Sequence, residues 1–352
     1  MGLKLPLLFE PKELVEGVKK PSREGDQHSF TIGPEKGYPM KVVVRHDQPI
    51  AEALAGSREG LAVVKANSEQ EALETLSESD AFIVNPSNWS DRYLDALTKV
   101  QWIQATSAGY SAFPIETFEA EGIAFTNAKG NYGPPVADHA FALALALGRG
   151  IAHCRDSQRD SIWNREIGSS LIDFSGRTLT VVGLGDIGEE VARRGKGFNM
   201  TVYGTKRDPS DYDGLLSMDH VLASKDLNTL LPKTDVLVLA VPLTDETYHL
   251  IDEQALEALP DSAIVVNVAR GPVIDEEALV LALETDRIAG AGLDVFETEP
   301  LPESSPLWDR EDVVITPHVG GRSASFVERF TQLFLKNHDR LDHGESLVNR
   351  IV

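Results

Sequence analysis

The sequence predicts an α/β protein with two parallel-sheet domains, the central one inserted into the chain of the other. From residue 41 onwards short β-rich runs alternate with helical stretches, the pattern of βαβ units. At 352 residues the chain has room for two cores. An alanine-rich stretch over 138–156, holding Phe141, Leu143, Leu145 and Leu147, reads as a long, mostly buried helix able to bridge them.

Residues 1–39 carry scattered charge and several prolines without a clear period, and read as an N-terminal extension with room for one helix over 11–20. Met40-Lys41-Val42-Val43-Val44 looks like a start followed at once by a strand. Strands are expected at 41–44, 61–64, 81–84, 102–105 and 124–126, then at 177–182, 201–203, 236–240, 263–268, 289–293 and 313–316. The run 177–182 is almost unbroken in its apolar character, as in a strand covered on both faces. After Gly321 one helical stretch remains, 323–341, with a short tail. The expected division is 40–137 plus 322–352 for the outer domain and 138–321 for the inserted one.

Acidic residues outnumber basic ones 55 to 33, for a net charge of −22. Such a surface disfavours a nucleic-acid partner, since phosphate contacts need lysine and arginine. It suits a cytoplasm of high salt, where screening shortens the range of self-repulsion. No apolar run is long enough to span a bilayer, no secretory signal opens the chain, and the single cysteine, Cys154, excludes an internal disulfide framework. A cytoplasmic protein without membrane contact is expected. No cluster of His, Cys or Asp has metal-ligand spacing, so no metal is expected.

The segment Gly183-Leu184-Gly185-Asp186-Ile187-Gly188 follows a strand and opens a helix at 189–194. Its glycines allow a tight turn, close backbone approach to a pyrophosphate and close helix–strand packing, and the helix N-terminus holds the phosphates. The inserted domain is therefore expected to be Rossmann-like and to bind a dinucleotide, beside a second Rossmann-like or flavodoxin-like domain. About twenty residues on, an acid would hold the ribose 2′-hydroxyl of NAD. Here Thr205, Lys206 and Arg207 stand instead, cations with a hydroxyl beside them, which suit the 2′-phosphate of NADP(H); NAD(H) is the second choice.

Ligands of open α/β sheets lie beyond the carboxyl ends of the strands. Three late strands end in Ala269-Arg270-Gly271, in Asp294-Val295-Phe296-Glu297-Thr298-Glu299-Pro300 and in Pro317-His318-Val319-Gly320. An arginine binds a carboxylate bidentately, a histidine exchanges a proton with a carbonyl oxygen, and a carboxylate orients the histidine and stabilises its positive charge. That set suits interconversion of a 2-keto acid and a 2-hydroxy acid.

With these residues in view, the chain from about residue 41 resembles the D-isomer-specific 2-hydroxyacid dehydrogenases. The resemblance rests on Asp235-Val236-Leu237-Val238-Leu239-Ala240-Val241-Pro242-Leu243-Thr244-Asp245-Glu246-Thr247, on Asn267-Val268-Ala269-Arg270-Gly271 and on Thr316-Pro317-His318-Val319-Gly320-Gly321. It implies Arg270, Glu299 and His318 as the catalytic set and Asp294 at the nicotinamide carboxamide. It implies Ala240 and Pro242 at the adenosine, with Ala269 and Gly320 along the cofactor. Ala108 and Gly109, within Ser107-Ala108-Gly109-Tyr110, would offer amides to the substrate carboxylate. Formate dehydrogenases carry glutamine in place of Glu299, and phosphoglycerate dehydrogenases often add a regulatory domain, so neither fits. Where the family more often has glutamate, Asp138 precedes His139; Asp138 is expected to cap the helix and His139 to be structural. A nicotinamide-sensing corepressor of the same fold is the alternative. Relatives are commonly dimers through the cofactor domain and bridging helix, so a homodimer is expected.

Overall fold

The computed structural model describes residues 39–212 and 218–352; the extension and its expected helix lie outside the described residues, save residue 39. Five strands form the first sheet: β1 (Met40–Arg45), β2 (Leu61–Lys65), β3 (Ala81–Val84), β4 (Trp102–Ala105) and β5 (Ala124–Thr126). Seven form the second: β6 (Thr178–Val182), β7 (Thr201–Lys206), β8 (His220–Ala223), β9 (Val236–Leu239), β10 (Ile264–Asn267), β11 (Gly290–Leu293) and β12 (Val313–Ile315). The α-helices among the described residues are α1 (Ile50–Leu54), α2 (Glu69–Leu76), α3 (Ile115–Ala120), α4 (Gly133–Gly148), α5 (Ile151–Arg159), α6 (Asp186–Gly197), α7 (Glu253–Ala258), α8 (Glu276–Glu284) and α9 (Phe326–Asp342). None is long and apolar enough to cross a membrane.

Both sheets are parallel throughout, with orders β2-β1-β3-β4-β5 and β12-β11-β10-β9-β6-β7-β8. The first is the flavodoxin-like order, and the second is the dinucleotide-binding order, which reverses direction between β6 and β9. The apolar strands are explained by burial on two sides. Val42 and Val44 pack with Phe326, Phe330 and Phe334 of α9, whereas Val43 turns to Phe82, Leu76 and Phe118 on the other face. In the second sheet Val181 joins α4 and α6 residues, while Val182 faces a separate cluster with Leu237 and Leu239. The C-terminal helix thus returns to the first sheet, and the tail pairs with β5 through Phe125 N–H to Val352 O at 3.1 Å and Ile351 N–H to Phe125 O at 2.8 Å.

Three expectations need correction. The single helix over 138–156 is two helices, broken at Gly150, whose φ is +60°. Gly148 also lies so close to Phe174 that a Cβ would sit 2.6 Å from its ring. Asp138 does not cap: α4 already begins at Gly133 with prolines in its first turn, and Asp138 pairs with Arg194 of α6 at 2.6 Å. A seventh strand, β8, was not expected; it is a short edge strand on a partly exposed stretch whose apolar run is brief.

Candidate active site

In the second sheet Leu239, Asn267, Leu293 and Ile315 stand in register. The residues that follow them therefore emerge at one edge, ordered across the sheet as His318, Glu299, Arg270, Pro242, the glycine turn and Lys206. The sequence order does not reveal this layout; the strand order creates it.

The glycine turn is built as its spacing predicts. Gly183 has φ +96°, and a Cβ there would meet Ala240 O at 2.8 Å. A Cβ on Gly188 would fall 1.9 Å from Gly183 O, so helix α6 can abut the turn only with glycine. Gly185 caps α6 and faces open space, with no atom within 4 Å of a notional Cβ. That opening at a helix N-terminus fits a pyrophosphate. Ile187 is half-buried against the core beneath the turn.

Two side chains expected at this turn are committed elsewhere. Thr205 is fully buried and its hydroxyl accepts the Gly183 N–H at 3.3 Å, so it shapes the turn rather than reaching outward. Asp186 accepts the N–H of Gly130 at 3.2 Å, and a Cβ on Gly133 would lie 2.7 Å from its carboxylate. Burial raises its pKa despite these bonds. Asp186 therefore pins the chain segment that crosses between the sheets. Lys206, over the Tyr212 ring at 5.5 Å, and exposed Arg207 follow at the end of β7.

At the other end His318 Nδ1 lies 2.8 Å from Glu299 Oε2, with both side chains partly open to solvent. Glu299 also accepts the Phe296 N–H at 3.2 Å. His318 has φ +52°, a left-handed backbone held by its N–H to Asp294 O at 2.9 Å. The Asp294 carboxylate is buried and accepts from Thr316 Oγ1 at 2.6 Å, Val319 N at 2.9 Å and Gly320 N at 2.9 Å. His139 Nε2 stands 3.3 Å from it and 2.8 Å from Thr316 Oγ1. Burial opposes the charge on Asp294, but these donors outweigh it and hold the carboxyl below its ordinary pKa. Gly320 must be glycine here, since a Cβ would meet Asp294 Oδ2 at 2.9 Å.

Arg270 is presented by Asn267, which the sequence reading assigned no role. Its amide donates to Arg270 O and its carbonyl accepts Ala269 N–H, both at 3.0 Å, closing the turn after β10. Asparagine at the end of a strand is the available signal for such a turn. Gly271 lies against the Phe296–Glu297 peptide so tightly that a Cβ would sit 1.8 Å from Phe296 C, which locks the Arg270 and Glu299 loops together. Across the cleft, a Cβ on Gly109 would be 3.8 Å from Arg270 Nη2. Asn127 and Ser107 bind the carbonyls of Ala108 and Gly109, while the N–H groups of both residues donate to nothing among the described residues. Pro242 O accepts the Thr247 hydroxyl at 2.6 Å, fixing the loop after β9. The fold also gathers His249, Asp275 and Glu297, far apart in sequence; His249 Nε2 to Glu297 Oε1 at 2.8 Å ties adjoining loops.

Asp294→Asn turns an amino group towards donors that need an acceptor and is expected to cost ~1–3 kcal/mol. Because the folded carboxyl titrates below its unfolded value, its contribution is complete above the ordinary aspartate range near ~4 and is lost as pH falls through the folded value. Urea unfolding at neutral and acid pH checks this: the deficit of the variant should shrink in acid, and an equal deficit at both pH values contradicts it.

Comparison with known proteins places this geometry. The family model for the D-isomer specific 2-hydroxyacid dehydrogenase NAD-binding domain matches residues 141–320. A glyoxylate reductase of Pyrococcus horikoshii is 37% identical over 294 residues, 80% of this chain and 86% of that one. A crystal structure of a D-isomer specific 2-hydroxyacid dehydrogenase family protein from Aeromonas salmonicida superposes with a TM-score of 0.76 at 31% identity, covering 89% of this chain and 99% of that one. A further member from Xanthobacter autotrophicus, crystallised with NADPH and MES, has a TM-score of 0.73 at 27% identity, covering 89% and 98%. The chain belongs to the D-isomer-specific 2-hydroxyacid dehydrogenase family, and is an NAD(P)-linked oxidoreductase of small 2-hydroxy and 2-keto acids.

Proposed function

We propose that the chain reduces a small 2-keto acid to the D-2-hydroxy acid with NADP(H), using Arg270, Glu299 and His318. The observation that carries this reading is the His318–Glu299 pair at 2.8 Å, on the sheet edge that also presents Arg270 opposite Gly109. A nicotinamide held along this edge supplies the hydride. The Arg270 guanidinium, facing the free amides of Ala108 and Gly109, binds the substrate carboxylate from one side while the amides bind it from the other. Glu299 accepts only, so His318 Nδ1 keeps its hydrogen and Nε2 is the nitrogen that exchanges a proton with the substrate oxygen. Asp294 holds the His318 backbone and keeps Oδ2 beside Gly320, where it would meet the carboxamide.

NADP(H) preference rests on Lys206 and Arg207, cations in a chain of net charge −22 at the place where a ribose-binding acid would stand. A relative crystallised with NADPH supports the choice. The acid excess supports work in high salt. A homodimer is supported by α5, which buries none of its own residues and exposes Ile151, and by exposed Ile162 and Trp163 just after it; a light-scattering mass of a single chain would rule it out.

His318→Ala should lower kcat by about 10²–10⁴-fold, whereas Arg270→Ala should raise KM as well. Steady-state kinetics with a 2-keto acid decide this, and near wild-type kcat/KM in either variant refutes the assignment. A Lys206→Asp/Arg207→Ser variant should lose at least about tenfold in its NADPH-over-NADH ratio of kcat/KM, since each charge-assisted contact contributes ~1.5 kcal/mol or more. An unchanged ratio contradicts the NADP(H) reading.

A further inference from the structure

Helix α9 turns one face to the first sheet and carries a second, polar stripe beside it. Phe326, Phe330 and Phe334 recur at every fourth position and are buried. Arg329, Gln332, Leu333 and Lys336 form the neighbouring stripe, with Arg329 and Lys336 two turns apart. The segment after β5 passes alongside, where Asn131 O accepts the Arg329 Nε–H at 3.1 Å. Segment and stripe line a cavity of about 320 Å³, to which the segment contributes Lys129 and Asn131. That volume suits a small ligand.

Charge sets this cavity apart. Lys129, Arg329 and Lys336 gather here in a chain with 55 acidic residues against 33 basic. Even so, none of the three forms an ion pair among the described residues. Lys129 acts on Asp186 through space, but that carboxylate takes the Gly130 N–H instead. Hydrogen bonding gives a second, independent sign. Asn131 is 3% exposed, and neither its Oδ1 nor its Nδ2 has a partner among the described residues. The buried Nη2 of Arg329 likewise donates to nothing among them. Buried donors left without acceptors cost free energy, which an acceptor in the cavity restores.

We propose that this cavity binds a divalent oxyanion of the phosphate class. Three cations around one small space balance more charge than the single carboxylate of a 2-keto acid carries. Arg329 Nη2 and Asn131 Nδ2 supply directed bonds, while Lys129 and Lys336 supply charge from the segment and the helix. The site is distinct from the glycine turn and from Lys206 and Arg207, which stand on the second sheet. A bound anion joins the segment to α9. Gly130 already ties that segment to Asp186 of α6, and Asn349 Nδ2 ties it to the C-terminal tail through Lys129 O at 2.7 Å. Occupancy therefore braces the connection between the two sheets.

Titration calorimetry of the full chain with inorganic phosphate, at an ionic strength held constant with chloride, tests the site. Saturable binding is expected, weakened at least about tenfold in Lys129→Gln/Lys336→Gln, which alters two exposed side chains. The Lys206→Asp/Arg207→Ser variant should bind as the wild type does. Loss in that variant with retention in Lys129→Gln/Lys336→Gln assigns the phosphate to the cofactor edge and overturns the site. Acetate, a monocarboxylate, should compete at least about tenfold more weakly than phosphate, and equal competition overturns the divalent class. Phosphate should also raise Tm, and Asn131→Leu, which removes an amide without a partner, should abolish that rise. A full rise in Asn131→Leu contradicts the proposal. A water molecule is the competing occupant, and in that case phosphate neither binds nor raises Tm, which overturns the site outright.

Discussion

One buried carboxylate organises the edge of the second sheet that carries His318, Glu299 and Arg270. Asp294 joins the end of β11 to the loop after β12 through the Thr316 hydroxyl and two amides, and its backbone carbonyl holds His318 in a left-handed conformation. Unpaired, such a charge would be costly in the interior; with this set of donors it is held ionised and rigid. His139 reaches the same network from α4, so the helix between the two sheets and the loop that carries His318 share a fixed point. The position of His318, and through it the Glu299 pair, depends on that arrangement.

Around this point the sheet supplies order at no sequence cost. Parallel strands in register deliver side chains to one edge, and reversal of strand order between β6 and β9 opens the crevice where the glycine turn lies. Glycines at 188, 271 and 320 serve close approach rather than flexibility, since each would drive a Cβ into a neighbouring loop or carboxylate. The cleft itself is left open at the His318–Glu299 pair.

The parallel sheets and the strand-end residues were legible because burial on two faces leaves apolar runs, and because chemistry follows those runs directly. The glycine turn was legible for the same reason. Other features were not. The break at Gly150 hides in an alanine-rich stretch that reads as continuous helix, and β8 opens on an exposed histidine and buries none of its residues fully, so it does not stand out. Spacing located Thr205 but not its direction: strand alternation turns it inward, with Lys206 beyond it only half-buried. Lys129 and Asn131 are far in sequence from Arg329 and Lys336, and only the return of α9 to the first sheet brings them to one cavity. Asn267 and Gly271 stood out only as parts of a motif, since uncharged side chains suggest no role, yet they set the Arg270 turn and bind it to the Glu299 loop.

The central claim is that this edge binds a 2-keto acid by its carboxylate and protonates its oxygen from one fixed side. The most direct measurement is chiral analysis of the product formed from a prochiral 2-keto acid and NADPH. The account predicts stoichiometric NADPH oxidation with the D-2-hydroxy acid as the sole product. A racemic or L product, or no product with any 2-keto acid, would contradict it.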